Sequence, residues 1–411
     1  MTLENRRRRI LFIDSGLGKG GSSTFLYYML KYLDRSRFDP CVAFYFQTDG
    51  PDVVKLKALD IPVVCLSRRS GPRWSWLMQG KIVTGQPRWI KVLQSVSRAG
   101  IRFITSDLPQ MAKLWRLLRR QPFSLVVLNN DVHYHLVGTL AARLAGLPIV
   151  CRKAGGIGEG KVIKRLLTPV VDLFVVVSRA TEADQRANNP GTKKLVTVYE
   201  GIDLKCFMPL SYYPLLREEL SIPAGTKVIG YVSRFHRGKG HKEFLEAAAL
   251  VAGSFRDVVF LIVGEEVGGD SGLRGELLRC VEDLRLQNHV IFTGWREDIE
   301  AILSIMDIYV HCPTTWIEGL GIANLEAMAM GKPTVVSDNG GLPDAVIDGE
   351  TGFVVPIGDV TRLADVLLRL LRDDSLAQQL GRNARRRVEE HFDIAKNTAT
   401  LEECLDAVAL P

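Results

Sequence analysis

The chain has 411 residues, too many for one ordinary hydrophobic core, so two domains of roughly 200 residues are expected. Its 46% apolar and 24% charged composition is that of a globular protein, and seven cysteines scattered singly argue for a reducing compartment and against a disulfide scaffold or a paired-cysteine metal site. The net charge of +7 is split: residues 1–200 carry 32 basic and 14 acidic side chains, and 201–411 carry 21 and 32, so the first half should favour an anionic partner.

At the start, Arg6 to Arg9 lead into an apolar run that stops at Asp14, well short of the roughly 7 to 15 residues of a signal core. A first strand behind a basic tail fits better. No segment reaches the ~18 to 20 unbroken apolar residues of a spanning helix. A cytoplasmic protein is expected, at most peripheral on the inner face of the cytoplasmic membrane. Short β-branched runs then alternate with helical patterns, as in parallel sheets flanked by helices. Strands are expected at 9–14, 41–46, 61–66, 124–128, 148–151, 173–177 and 195–199, and again at 227–233, 258–263, 289–293, 307–311 and 333–337. A linker should fall near 200–214, where Gly201 and two prolines separate the two series. Ligands of open α/β sheets bind beyond the carboxyl ends of the strands, so a cleft between two doubly wound domains is the expected site.

Two elements of the second half carry chemistry. After the strand KVIGYVS come Arg234-Phe-His-Arg-Gly-Lys239-Gly-His241 and then a helix. A basic loop between a strand end and a helix N-terminus suits an anion, because free amides point at it and the helix dipole favours it. Arg234 and Lys239 can neutralise the two phosphates of a leaving diphosphate, although a solvated basic loop fits the same residues. The second element is Glu318-Gly-Leu-Gly-Ile-Ala-Asn-Leu-Glu326, entered by a strand and left by a helix. Gly319 and Gly321 let the backbone approach a ligand closely. Glu326, about one turn into the helix, can accept both hydroxyls of a ribose, and Glu318 can face a sugar ring. Two glutamates at this spacing are common on surfaces, so the pair alone decides nothing.

Taken in order, the strand–Arg–x4–Lys-Gly-His–helix element, then FTGW, EGLG…LEAMAMGKP, SDNGGLPDAV and DGETGFVV resemble the donor-binding domain of the retaining glycosyltransferases of family four, which have the GT-B fold. The similarity runs continuously over about 200–390, and Gly20-Gly21-Ser22 after the first strand looks like that family's glycine loop. The resemblance implies two facing Rossmann-like domains with a cleft between them. Residues 1–205 would form the acceptor side and 206–390 the nucleotide-sugar side, with a terminal helix in 391–411 that can cross back onto the first domain. It implies that Arg234 and Lys239 bind the donor diphosphate, Glu326 the ribose, and Glu318 the donor sugar with Gly319, Leu320 and Gly321. Trp295 and Arg296 would lie along the base. It further implies a UDP- or GDP-sugar donor, retention of configuration and no required metal, the two cations acting where Mg²⁺ acts elsewhere.

The acceptor side departs from the family. The strand ending SLVVL is commonly followed by a His-x-His motif, whose second histidine falls here on Asn130, with His133 and His135 slightly later. Asn130 or His133 is the candidate contact to the donor sugar or acceptor; a helix-start or packing histidine is the alternative for His133. The strand at 148–151 runs into Arg152-Lys153, which could meet an acceptor phosphate or be a plain surface pair. Glu200-Gly-Ile-Asp203 resembles the family's Asn-Gly-x-Asp turn, with Glu in place of Asn. Stretch 68–120 holds twelve Lys and Arg, one acid (Asp107), and four of the six tryptophans, Trp74, Trp76, Trp89 and Trp115. Basic residues with interfacial tryptophans describe a segment lying on an anionic membrane. An apolar stripe packed on its own sheet is the alternative.

The expected protein is thus a glycosyltransferase acting on a cell-envelope polysaccharide, lipid-linked or glycolipid acceptor. A GT-B-fold nucleotide-sugar epimerase would share the nucleotide contacts but hardly the EGLG…LEAM segment. A polyanion-binding protein would show a steep salt dependence, yet no nucleic-acid-reading module is visible, and no nucleic-acid partner is expected.

Overall fold

The computed structural model describes residues 7–14, 21–46, 51–67, 103–155, 161–209, 213–266 and 272–410. Among these, thirteen strands form two parallel sheets. The first contains β1 (Arg8–Asp14), β2 (Phe38–Phe46), β3 (Val63–Ser67), β4 (Phe123–Asn129), β5 (Ile149–Lys153), β6 (Leu173–Val176) and β7 (Leu195–Thr197), in the order β3-β2-β1-β4-β5-β6-β7. The second contains β8 (Lys227–Val232), β9 (Val258–Val263), β10 (Val290–Gly294), β11 (Ile308–His311), β12 (Thr334–Ser337) and β13 (Gly352–Val355), in the order β10-β9-β8-β11-β12-β13. Strands covered by helices on both faces read as unbroken apolar runs rather than alternating ones. β9, VVFLIV, is buried at every position. The GT-B architecture of two Rossmann-like domains is therefore the observed fold.

Both sheets reverse their winding next to their first strand, between β1 and β4 and between β8 and β11. Such switch points leave a crevice at the carboxyl ends of the strands. The register of β1 on β4 sets Ile13 beside Leu128, which brings Asp14 and Asn129 together at the first crevice. One apolar cluster runs through both domains, from Phe25 and Leu26 to Leu320, Ile322 and Leu325. β13 was not among the expected strands. Its four residues between a turn and Pro356 are too few to show a period. β5 runs through Arg152 and Lys153 instead of ending before them.

The chain passes between the domains twice, and the crossings are bonded to each other. Ile202 N donates to Phe392 O at 2.8 Å and Ile394 N to Ile202 O at 3.2 Å. Gly201 is obligatory here, since a Cβ would lie 2.5 Å from Ile394 Cα. The last three helices, Val360–Arg372, Asp374–His391 and Ile394–Asp406, are each N-capped by an aspartate, Asp359, Asp373 and Asp393. The last helix packs on the first-domain helix Gly21–Tyr32. Its Glu402 pairs with Arg37 at 3.0 Å, and Asp406 pairs with Arg8. No helix of the described residues is long and apolar enough to cross a membrane. Trp74, Trp76 and Trp89 of the basic stretch, and Gly20, lie outside the described residues.

Candidate active site

β8 delivers its last turn into the crevice as Ser233 and Arg234, and a single 3₁₀ turn, Arg237–Lys239, leads into the helix His241–Ser254. The turn is fastened to the segment after β11. Tyr231 Oη donates to Lys239 O and accepts from Cys312 N at 3.1 Å. Gly238 O accepts from Thr314 N at 2.9 Å and Trp316 N at 3.1 Å. Gly240 has φ +78°, and a Cβ there would fall 1.9 Å from Cys312 O. The glycine of the Lys-Gly-His sequence is therefore a steric requirement of two backbones in contact.

Lys239 is buried and ion-paired with Glu318. The Glu318 carboxylate also meets His311 Nε2 at 2.9 Å, while its backbone N donates to Asn339 Oδ1 at 3.1 Å. Burial opposes the charge on Glu318, but the Lys239 ammonium and the His311 ring outweigh it and hold the carboxyl below the usual carboxylate range. Arg234 has no carboxylate partner among the described residues; its guanidinium lies 4.7 Å from the Trp316 ring centroid.

Glu326 behaves differently. It is 7% exposed on the helix Ile322–Ala329, and no group among the described residues donates to its carboxylate. Burial pushes its pKa up to about 8, with the Glu300 charge adding to the shift. A buried carboxyl without donors is costly, and two hydroxyls from a ligand would satisfy it. The helix begins at Gly321, φ +86°, where a Cβ would meet Leu342 Cδ2 at 2.8 Å.

The first domain closes on these loops. A Cβ at Gly319 would lie 1.9 Å from Ala154 O, and one at Gly21 would lie 3.1 Å from Ile322 Cγ1. Asn129 Nδ2 donates to Asp14 at 2.5 Å and reaches Ser22 O at 3.3 Å, tying β4 to the start of the glycine helix. Arg152 donates to Asn129 Oδ1 at 2.7 Å and to Glu200, and its guanidinium stacks 3.9 Å from the Phe25 centroid. Burial raises the Glu200 carboxyl to about 7 against the pull of Arg152, and the Glu318 charge adds to the rise.

The basic pair Arg152 and Lys153 is buried and engaged inside the first domain. Lys153 is 0% exposed and bound to Asp184 and Gln185, so both charges are consumed inside the domain. Their place in the strand, rather than beyond it, is the reason. Arg296 is likewise held, by Glu219 and Asp298, each at 2.6 Å, beside a Trp295 that is 37% exposed. His133 lies 3.3 Å from the buried Asp131, which also pairs with Lys164 at 2.8 Å, and stacks on Tyr134. His135 is a core residue between Tyr45 Oη and Asn129 O. Asn130 stands at φ +134°, a backbone conformation that favours glycine, and its side chain has no hydrogen-bond partner among the described residues. Strain of this kind persists only where surrounding structure imposes it.

Sequence reasoning gave no site role to His311, Trp316, Asn339 or Glu200. His311 and Trp316 adjoin the Glu318 motif, and two such residue types beside a buried acid were the available signal. Among the described residues no group of three His, Cys, Asp or Glu could hold a metal ion.

Known proteins with these features point one way. The family model described as Glycosyltransferase Family 4 matches residues 19–205, and that described as Glycosyl transferases group 1 matches residues 213–387. The chain is 25% identical over 305 residues to N-acetyl-alpha-D-glucosaminyl L-malate synthase of Bacillus anthracis, spanning 72% of this chain and 78% of that protein. It is 26% identical over 320 residues to the UDP-Gal:alpha-D-GlcNAc-diphosphoundecaprenol alpha-1,3-galactosyltransferase of Escherichia coli, spanning 73% and 79%. The crystal structure of Anabaena HepE in complex with UDP and glucose shares the fold, with a TM-score of 0.79 over 98% of this chain and 100% of that one at 22% identity. The chain is a glycosyltransferase with the GT-B fold, whose first half matches the Glycosyltransferase Family 4 model and whose second half matches the Glycosyl transferases group 1 model.

Proposed function

We propose that the enzyme moves a sugar from a UDP- or GDP-sugar to a cell-envelope polysaccharide, lipid-linked or glycolipid acceptor, with retention at the anomeric carbon. One observation carries the donor assignment: the crevice holds a buried carboxyl without donors, Glu326, together with the two cations Arg234 and Lys239. A ribose donates to the first and a diphosphate accepts from the second, and a nucleoside diphosphate joins the two. In the transfer, the bond from the anomeric carbon to the diphosphate oxygen breaks with its electron pair on the diphosphate, as the acceptor hydroxyl oxygen bonds that carbon and its proton passes to the departing diphosphate. Arg234 and Lys239 then stabilise the charge that collects on the leaving diphosphate, and no metal is needed for that task. Glu318 and the backbone of Gly319, Leu320 and Gly321 hold the transferred sugar, Trp295 and Arg296 border the base, and the glycine loop at Gly20 and Gly21 covers the donor. Asn130 or His133 reaches the sugar or acceptor from the first domain. The domains divide near residue 205.

Retention and metal independence are supported by the family resemblance. The acceptor class is supported by the basic first half and by the lipid-diphosphate acceptor named for the Escherichia coli relative. Peripheral membrane association is supported by the helix Lys161–Leu167, which leaves Val162 74% and Leu166 71% exposed beside Arg165.

A calorimetric screen of UDP-, GDP- and ADP-sugars tests the donor assignment, with Glu326→Ala as control. One UDP- or GDP-sugar should bind, and the control should lose it. Equal binding by the control would remove the ribose role, and an epimerised sugar with free UDP and no acceptor would replace transfer by epimerisation. The anomeric configuration of the product, read by NMR, and turnover in EDTA test retention and metal independence.

A further inference from the structure

We infer that Trp316 is a positioning residue that gathers Arg234 and Lys239 into a single diphosphate-binding pair, an inference that rests on the diphosphate role proposed above. The Trp316 ring centroid lies 4.7 Å from Arg234 Cζ and 5.0 Å from Lys239 Nζ. Two cations brought this close repel each other, and the repulsion grows as water is excluded. A carboxylate could offset it, but it would then compete with the phosphates for the same charges. An aromatic face attracts cations through its quadrupole and carries no net charge. It can therefore hold the pair without competing for hydrogen bonds. Lys239 has such a carboxylate in Glu318, whereas Arg234 has none among the described residues and depends on the ring alone.

The ring is itself fixed. Trp316 N donates to Gly238 O at 3.1 Å, and Gly238 is packed so closely that a Cβ would lie 2.6 Å from Trp316 N. The His236 ring meets the indole edge-on at 4.9 Å and 69°. The indole thus moves with the phosphate loop as one unit, although it belongs to the segment after β11. Its place two residues before Glu318 links the diphosphate grip to the sugar contact.

The test compares Trp316→Leu, Trp316→Phe, Lys239→Ala and Arg234→Ala with the parent, using UDP or GDP, whichever binds in the donor screen, and the matching nucleoside. Thermal melting confirms that each variant is folded. Trp316→Leu should bind the diphosphate about tenfold more weakly and the nucleoside as well as the parent does, with Trp316→Phe restoring most of the loss. If Trp316→Leu binds the diphosphate normally while Lys239→Ala does not, the inference falls and the diphosphate role stands. Equal losses for diphosphate and nucleoside would also overturn it, by showing a general disturbance of the cleft. If Lys239→Ala and Arg234→Ala both bind the diphosphate normally, the diphosphate role fails and this inference with it.

Discussion

Replacing Glu326 by glutamine should stabilise the free enzyme at alkaline pH while weakening its hold on the donor. The carboxyl is buried without donors, and its pKa rises from the ordinary 4.5 to about 8. Between these values the folded protein holds a proton that the unfolded chain releases. Stability therefore falls as pH rises through this window, and the loss is complete above about 8. At about 1.4 kcal/mol per pKa unit, the loss is of order 3–5 kcal/mol. Glutamine has the shape of the neutral acid and does not titrate. Parent and variant should denature alike near pH 5, whereas at pH 9 the variant should be the more stable by a few kcal/mol. The ribose, which can donate two hydrogen bonds to a carboxylate, finds a weaker acceptor in the amide. Charge-assisted bonds contribute about 1.5–3 kcal/mol each, so donor affinity should fall at least tenfold. Urea denaturation across pH 5–9 and calorimetry with the nucleoside diphosphate read the two effects separately. Superimposable pH–stability curves would show that Glu326 is ionised in the free protein, and undiminished donor affinity would show that it does not meet the ribose.

Arg234→Ala and Lys239→Ala should each lose roughly 2–4 kcal/mol of transition-state stabilisation, seen as a fall in kcat; near-normal turnover in both would end the leaving-group role. Asn130→Gly should relieve the backbone strain at φ +134°, raising stability by about 1 kcal/mol. Transfer should slow if the amide contacts the sugar or acceptor, and unchanged kcat and KM would leave His133 as the remaining first-domain candidate. Val162→Ser with Leu166→Ser should reduce co-sedimentation with phosphatidylglycerol vesicles at least tenfold, since each buried leucine-sized chain contributes about 1.5–3 kcal/mol. Undiminished vesicle binding would move the docking surface to stretch 68–120, and a parent that binds no vesicles would end the membrane proposal.

The fold was legible because fully covered strands such as VVFLIV can hardly be anything else in a chain that alternates with helices. The short β13 was not, because pairing with β12 rather than its own pattern makes it a strand. The two glycine-bearing loops of the second domain were legible for a related reason. Gly238, Gly240 and Gly319 stand where one backbone meets another, and Gly321 combines a positive φ with a close Leu342 side chain; such positions tolerate little change of spelling. The surroundings of Arg152 and Lys153 were not legible, because sequence shows that a charge exists but not what neutralises it. Their partners, Glu200 at 48 positions away and Asp184 at 31, are distant in the chain. Trp316 was overlooked for the converse reason: an aromatic residue near a motif looks like core until two cations are seen on its face.

What separates binding charges from structural ones here is whether they are already satisfied. Arg152, Lys153 and Arg296 are each held by carboxylates of their own fold, and a ligand would have to break those pairs to use them. Arg234 and Glu326 are the opposite case, one cation with only a ring beneath it and one buried acid without a donor. Each is a cost the folded protein bears in isolation, and a nucleoside diphosphate is the kind of molecule that removes both at once. Lys239 and Glu318 lie between these extremes, since each is the other's partner in the free state. On the proposed role of Lys239, a diphosphate there would compete with Glu318 for the ammonium, leaving His311 as the remaining partner of the carboxylate.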